Sequence, residues 1–93
     1  MKYIEERWEF PSDRPTPASG TMQVLYEGDK VVGCEYLCPC GCGREIYTPT
    51  DGSRGWTYSP GPTINPSVRW LGGCKAHFFI RNGQVEFCED SGR

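Results

Sequence analysis

The sequence lacks an apolar run long enough to cross a bilayer, which takes about 20 consecutive residues in a helix. Its first residues, MKYIEE, also lack the apolar segment of a secretion signal. Both absences argue against a membrane protein and favour a cytoplasmic one. Because the cytosol keeps thiols reduced, we expect the six cysteines to bind a metal rather than to form disulfides.

A helical pattern is missing too, since no long stretch carries apolar side chains at 3.6-residue spacing. Twelve glycines and eight prolines interrupt the 93 residues every few positions. We therefore predict a mainly β fold, a small single-domain, zinc-stapled β-sheet built from short hairpins, with little helix. The domain is expected to span residues 1–93, with residues 1–19 as an N-terminal strand and loop. The predicted strands are Tyr3–Phe10, Thr21–Tyr26, Lys30–Leu37, Glu45–Thr48, Gly55–Tyr58 and two near the C-terminus.

Two short turns predict hairpins within this pattern. Gly28-Asp29 separates two apolar segments, and Asn82-Gly83 separates two more. Counting outward from Asn82-Gly83 pairs Phe78 with Phe87 on one face and His77 with Cys88 on the other.

An excess of positive charge is absent as well. The chain has 10 Lys and Arg against 12 Asp and Glu, which gives a formal net charge of −2. Nucleic-acid-binding proteins usually carry a basic surface, so a nucleic-acid-binding zinc protein ranks third among the functions considered. We expect the partner to be another protein, and the sequence predicts no membrane contact and no particular oligomeric state.

The cysteines themselves form a dense cluster. Cys38, Cys40 and Cys42 alternate with proline and glycine, and Cys74 and His77 follow with the C-x-x-H spacing of a metal-binding pair. A structural zinc takes four such ligands in a tetrahedron, so one of the five candidates is in excess. We favour Cys38, Cys42, Cys74 and His77, with Cys40 as the substitute in the first cluster.

The sequence gives less support for the two remaining cysteines, Cys34 and Cys88, as metal ligands. Cys34 is interpreted as an ordinary small side chain. Cys88 is interpreted in the same way, although its position opposite His77 would also allow it to lie beside the metal or to replace a ligand.

Scarcity of histidine limits the chemistry, because His77 is the only one. A Rieske cluster needs two histidines and is excluded, whereas a [2Fe–2S] cluster on three cysteines and one histidine stays open. The H-E-x-x-H motif of zinc proteases and the deaminase signature are absent. With His77 assigned to the metal, histidine-based catalysis loses its usual base, so we favour a structural zinc over an enzyme.

The motifs together resemble a family of small bacterial and phage proteins with a C-x-C-G-C-G cluster, a Pro-Ser-Ile/Val step and a C-x-x-H-aromatic element. The resemblance covers roughly residues 20–88. It implies a metal-binding domain, and the occurrence of relatives beside genes for bacterial ubiquitin-like conjugation systems implies an accessory role that involves protein partners. The matching positions are Cys38, Cys40, Cys42, Pro66, Ser67, Cys74 and His77.

The leading prediction is thus a zinc-ribbon-like accessory or protein-interaction module, with Zn²⁺ joining the cysteine turn to the C-terminal hairpin. A metalloenzyme or a [2Fe–2S] redox protein that uses the same cluster is the alternative.

Overall fold

The computed structural model describes all 93 residues and contains eight strands and no helix. This confirms the prediction of a mainly β fold. Without helices, the chain has no helical segment that could span a membrane. The strands are β1 (Ile4–Glu9), β2 (Thr21–Glu27), β3 (Lys30–Leu37), β4 (Glu45–Pro49), β5 (Thr57–Ser59), β6 (Thr63–Arg69), β7 (His77–Arg81) and β8 (Gln84–Phe87).

The strands form two four-stranded sheets, ordered β1-β2-β3-β4 and β5-β6-β7-β8. Every neighbouring pair is antiparallel except β1 and β2, which run parallel. Both predicted hairpins are confirmed. In the second, Asn82 and Gly83 have φ angles of 51° and 80°, and Phe78 pairs with Phe87. Positive φ at both turn positions is what a type I′ turn requires.

Strand β6 was not predicted from the sequence, because Pro66 interrupts its apolar pattern. Proline donates no backbone hydrogen bond and is therefore found in sheets mainly at edges or irregular positions. The ladder between β6 and β7 shifts register between Ile64 and Val68, the segment that contains Pro66. Ile64 and Val68 are nevertheless buried on either side of the irregularity, so the strand keeps its core face.

One core of 12 buried residues joins the two sheets. Tyr36 and Ile46 contribute from the first sheet, and Phe78 and Ile80 contribute from β7. Burial of Ile46, Phe78 and Ile80 stabilises the fold by roughly 1.5–3 kcal/mol each, because their apolar surface is removed from water. Because residues alternate along a strand, burial of Phe78 turns the preceding residue, His77, to the opposite face of the sheet.

The N-terminal segment connects the two sheets through Tyr3. The Tyr3 hydroxyl donates to the carbonyl of Leu37 at the end of β3, and its backbone N–H donates to Gly83 at 2.8 Å. Its ring packs edge-on against Tyr36 with centroids 5.3 Å apart. Tyr3 thereby joins the end of β3, which leads into the cysteine turn, to the turn of the C-terminal hairpin.

Candidate functional site

The first group of candidate side chains lies in the loop between β3 and β4. The N–H of Cys38 donates to the carbonyl of Arg44 at 2.8 Å, which closes the loop at its base. Gly41 and Gly43 have φ angles of 89° and 83°, a left-handed conformation that glycine adopts without steric cost. The alternating glycines thus allow the chain to turn tightly enough for neighbouring cysteines to face one another.

Cys74 lies in the loop between β6 and β7. Gly73 has a φ of 58°, and Lys75 has a φ of 51°, which is uncommon for a residue with a side chain. The N–H of Lys75 donates to Gly72 at 3.1 Å and closes the turn. A Cβ atom on Gly73 would lie 2.3 Å from Nη2 of Arg44, so glycine also makes room for that side chain.

The two loops bring four sulfur atoms together, those of Cys38, Cys40, Cys42 and Cys74, all within 4.8 Å of one another. The Sγ of Cys38 is 3.4 Å from that of Cys40 and 3.8 Å from that of Cys74. All six cysteines are free thiols. A tetrahedral zinc with bonds of about 2.3 Å separates its sulfur ligands by about 3.8 Å. The group could therefore hold one metal ion.

The thiols of this group have different electrostatic environments. The backbone of Arg44 forms a hydrogen bond with Cys42 and lowers the pKa of its thiol to about 7. Burial raises the pKa of Cys38 above its usual value. Outside the group, burial raises the pKa of Cys34 to about 12, so this thiol stays protonated. A protonated, buried thiol fits the interpretation of Cys34 as an ordinary core side chain.

The structure does not bring His77 into the four-sulfur group. Cys40 takes part in that group together with Cys38 and Cys42, and Cys88 lies elsewhere with His77. The separation has a simple cause. Cys74 precedes β7 in a loop, whereas His77 is the first residue of the strand and points away from the core, opposite to buried Phe78.

His77 instead contacts Ser67 on the neighbouring strand β6. The Oγ of Ser67 is 2.9 Å from Nε2 of His77, and both side chains are partly buried. Arg69 pairs directly with His77 in the ladder, and Ser67, two residues earlier, lies on the same face of β6. Two adjacent antiparallel strands thus place a hydroxyl beside an imidazole.

The other ring nitrogen of His77 contacts Asp90 in the C-terminal tail. Nδ1 of His77 and Oδ1 of Asp90 are 2.7 Å apart, and Oδ2 of Asp90 forms an ion pair with Arg69 at 3.4 Å. The tail turns back toward β7 because the backbone N–H of His77 donates to Oγ of Ser91 at 3.0 Å. The N–H of Ser91 in turn donates to Cys88 at 3.0 Å.

The hydrogen bond from His77 lowers the pKa of Asp90, and the charges of His77 and Arg69 add to this effect. An ionised Asp90 accepts the proton on Nδ1, which leaves Nε2 free to accept the proton of Ser67. Ser67, His77 and Asp90 therefore form the hydrogen-bond chain of a Ser-His-Asp triad, which is recognised by geometry rather than by the order of its members in the sequence.

Sequence reasoning did not select Ser67 and Asp90 as functional residues. Ser67 was noted only as part of the Pro-Ser-Ile/Val step, and a serine close to the single histidine was the available signal. Asp90 gave no such signal, because its contact with His77 depends on the path of the tail after β8.

A cavity of about 460 Å³ lies next to Trp56. Its wall includes the rings of Tyr47 and Trp56 and the polar side chains of Asp51 and Arg54. The indole N–H of Trp56 donates to the backbone carbonyl of Ser67 at 3.2 Å. One side chain therefore belongs both to the cavity wall and to the support of the serine.

Comparison with known proteins yields one family. The sequence model described as "Bacterial ubiquitination-like system serine protease (BubE)" matches residues 7–88. Neither the curated proteins nor the solved structures contain a match to the chain. Ser67, His77 and all four cysteines of the sulfur group lie inside the matched segment, and Asp90 follows it by two residues.

Proposed function

The chain belongs to the BubE family of bacterial ubiquitination-like systems, and we propose that it is a serine hydrolase that cleaves an acyl bond in a protein substrate of such a system. Ser67 is the nucleophile, His77 the general base and Asp90 the residue that orients the imidazole. The observation that carries this proposal is the chain of two hydrogen bonds, 2.9 Å and 2.7 Å long, through the ring of His77.

The proposed reaction has two halves. Oγ of Ser67 attacks the carbonyl carbon of the substrate while Nε2 of His77 takes the hydroxyl proton, and the same nitrogen then gives that proton to the leaving amine or alcohol. This yields an acyl-enzyme. In the second half a water molecule gives its proton to Nε2 and attacks the acyl group, and Ser67 is regenerated when the proton returns to Oγ. Asp90 stays ionised throughout and stabilises the imidazolium.

We assign the four-cysteine group to a structural Zn²⁺. Two observations support a single ion, the mutual separations below 4.8 Å and the agreement of 3.8 Å between Cys38 and Cys74 with a tetrahedral edge. A [2Fe–2S] cluster distributes its thiolates over two irons and needs wider spacing between them. Four protein ligands leave no open position for water on a zinc ion, so the ion stabilises the fold and the triad supplies the chemistry.

The zinc also has a positional role in this proposal. It ties the loop after β3 to the loop that leads directly into β7, and β7 begins with His77. The sequence predicted an accessory role that involves a protein partner. On this proposal the partner is the substrate, and its binding leads to its cleavage.

An active-site probe tests the proposal. A fluorophosphonate reacts with serines that a neighbouring base activates, and we expect it to label wild-type protein at Ser67. Ser67→Ala and His77→Ala should abolish the labelling, whereas Ser59→Ala, which changes an exposed serine on β5, should retain it. Absence of labelling in folded, metal-loaded wild-type protein would refute the serine hydrolase. Brown colour and visible absorbance would refute zinc in favour of iron and sulfur.

A further inference from the structure

We propose that His77, Cys88 and Asp90 form a second metal site, at which a soft divalent cation such as Zn²⁺ or Cd²⁺ binds and blocks the triad. This inference rests on the proposed function, because the site shares two residues with the triad. It concerns the control of that activity, and it is separate from the four-cysteine group that we assign to the structural ion.

The three side chains already lie within bonding range of a common ion. One ligand atom from each of His77, Cys88 and Asp90 lies within 4.8 Å of the other two. The hairpin creates this proximity, because the N–H of Cys88 donates to the carbonyl of His77 at 2.8 Å and continues the β7–β8 ladder by one residue. The turn after β8 then brings Asp90 to the same side.

The donor set favours soft, borderline cations. Imidazole nitrogen, thiolate and carboxylate are the three ligand types of zinc in proteins, and a site with three protein ligands keeps one position for water. Mg²⁺ and Ca²⁺ prefer shells made only of oxygen, so a thiolate selects against them. A Ser-His-Asp triad needs no thiol, and Cys88 is therefore the residue of this group that the proposed hydrolysis leaves without a role.

The site is open to an ion from solvent. The side chain of His77 is 17% exposed and that of Asp90 is 45% exposed. Cys88 is likewise partly exposed, in contrast to buried Cys34. Besides His77, Asp90 pairs with Arg69, whose ion pair uses the carboxylate oxygen that does not contact His77. An ion can therefore reach Oδ1 without displacing Arg69.

Binding at this site would stop the proposed chemistry for a specific reason. Nδ1 of His77 faces Asp90, so an ion between imidazole and carboxylate replaces the proton of Nδ1. The neutral ring then carries its remaining proton on Nε2, the nitrogen that must accept a proton from Ser67. A ring protonated at Nε2 is no base toward the serine, so the hydroxyl is no longer activated.

The test begins with protein that carries one equivalent of zinc, to which Cd²⁺ is added. Equilibrium dialysis counts the bound Zn²⁺ and Cd²⁺ ions together. Fluorophosphonate labelling of Ser67 is measured in parallel. We expect a second equivalent to bind to the wild-type protein and labelling to fall with the same concentration dependence. Added Mg²⁺ should have neither effect.

Variants assign the second ion to its ligands. Loss of an outer-shell partner costs roughly 10- to 100-fold in metal affinity, so removal of a direct ligand in Cys88→Ser or Cys88→Ala should cost at least as much. Cys34→Ala removes a thiol outside both groups and should bind the second ion as the wild type does. A wild type that binds only one equivalent, or a Cys88→Ser variant that binds the second ion with unchanged affinity, would overturn the proposal.

The two hypotheses fail in different ways. Ser67 is not a ligand, so Ser67→Ala should still bind the second equivalent although it cannot be labelled. Missing labelling in wild-type protein without added cation would count against the hydrolase alone, and the dialysis result for Ser67→Ala would still decide whether the cation site exists.

Discussion

The indole N–H of Trp56 donates to the backbone carbonyl of Ser67 at 3.2 Å, just before the chain enters β5. Strand β5 pairs with β6 only over Thr63–Asn65, so the ladder stops before Ser67. The indole therefore satisfies a carbonyl that β5 does not reach. It also fixes the backbone that carries the proposed nucleophile.

Trp56→Phe should lower kcat more than it changes KM. The phenyl ring keeps most of the apolar contact, and the lost hydrogen bond is worth about 1 kcal/mol, or roughly fivefold in rate if it acts only on the serine. The measurement is the steady-state hydrolysis of an activated ester. Trp8→Phe, which changes a tryptophan on β1 whose indole contacts Glu6, is the matched control and should leave both constants unchanged.

Asp90→Asn should reduce kcat by roughly 10³- to 10⁴-fold, because an amide oxygen orients the ring without stabilising the imidazolium and can favour the wrong tautomer. Zinc content should change little, since Asp90 lies outside the four-cysteine group. Activity within a factor of about three of wild type would show that Asp90 does not orient His77.

Asp90 should also contribute to stability in a pH-dependent way. Its pKa in the folded protein is below the usual 3.8, chiefly because of the hydrogen bond from His77. A lowered pKa stabilises the fold above the unfolded-state pKa, and this stabilisation is lost as pH falls through the folded-state value. Asp90→Asn should therefore lower the urea midpoint at neutral pH, where the carboxylate is ionised.

The comparison is made at neutral pH because acid protonates the four thiolates and releases zinc, and the domain is expected to unfold without the ion. Equal urea midpoints for wild type and Asp90→Asn at neutral pH would contradict the assigned role of the ionised carboxylate.

Removal of the metal should unfold the domain. Structural zinc sites contribute on the order of 10 kcal/mol, which is comparable to the whole stability of a small domain. We expect a strong chelator to abolish the cooperative thermal transition, and Cys40→Ser and Cys74→Ser to prevent stoichiometric zinc binding. Cys34→Ala should keep both properties. A cooperative transition in protein shown by elemental analysis to be metal-free would contradict the structural role.

The turn at Asn82-Gly83 should tolerate less change than the turn at Gly28. Both Gly83 and Gly28 have positive φ, so alanine strains either backbone by about 1–2 kcal/mol. A Cβ on Gly83 would also lie 2.8 Å from the carbonyl oxygen of Tyr3, whereas nothing lies within 4 Å of one on Gly28. Gly83→Ala should therefore lower the free energy of unfolding further than Gly28→Ala, and equal losses in chemical denaturation would contradict this.

The hairpins and the strand content could be predicted from the sequence because they depend on neighbouring residues. Asn82-Gly83 fixes its own turn, and the register Phe78 with Phe87 follows by counting. The parallel pairing of β1 with β2 could not be predicted from the sequence, because it depends on contacts between segments separated by a long loop. Strand β6 was missed because Pro66 breaks the local pattern on which strand prediction relies.

The metal site could be predicted in part from the sequence, because three of its cysteines are close neighbours in the chain. Three cysteines in one turn must lie close together, and Cys74 was identified through its spacing to His77. That spacing alone could not indicate which way His77 points. Burial of Phe78 decides its direction, and this depends on the packing of both sheets. The contacts of His77 with Ser67 and Asp90 come from two different segments of the chain.

The most direct measurement is the site of acylation after brief reaction with an activated ester. Protein quenched in acid and digested should carry one acyl group, on the peptide that contains Ser67, and Ser67→Ala should carry none there. An acyl group found on a cysteine, or no acyl group on folded and zinc-loaded wild-type protein, would contradict the assignment of Ser67 as the nucleophile.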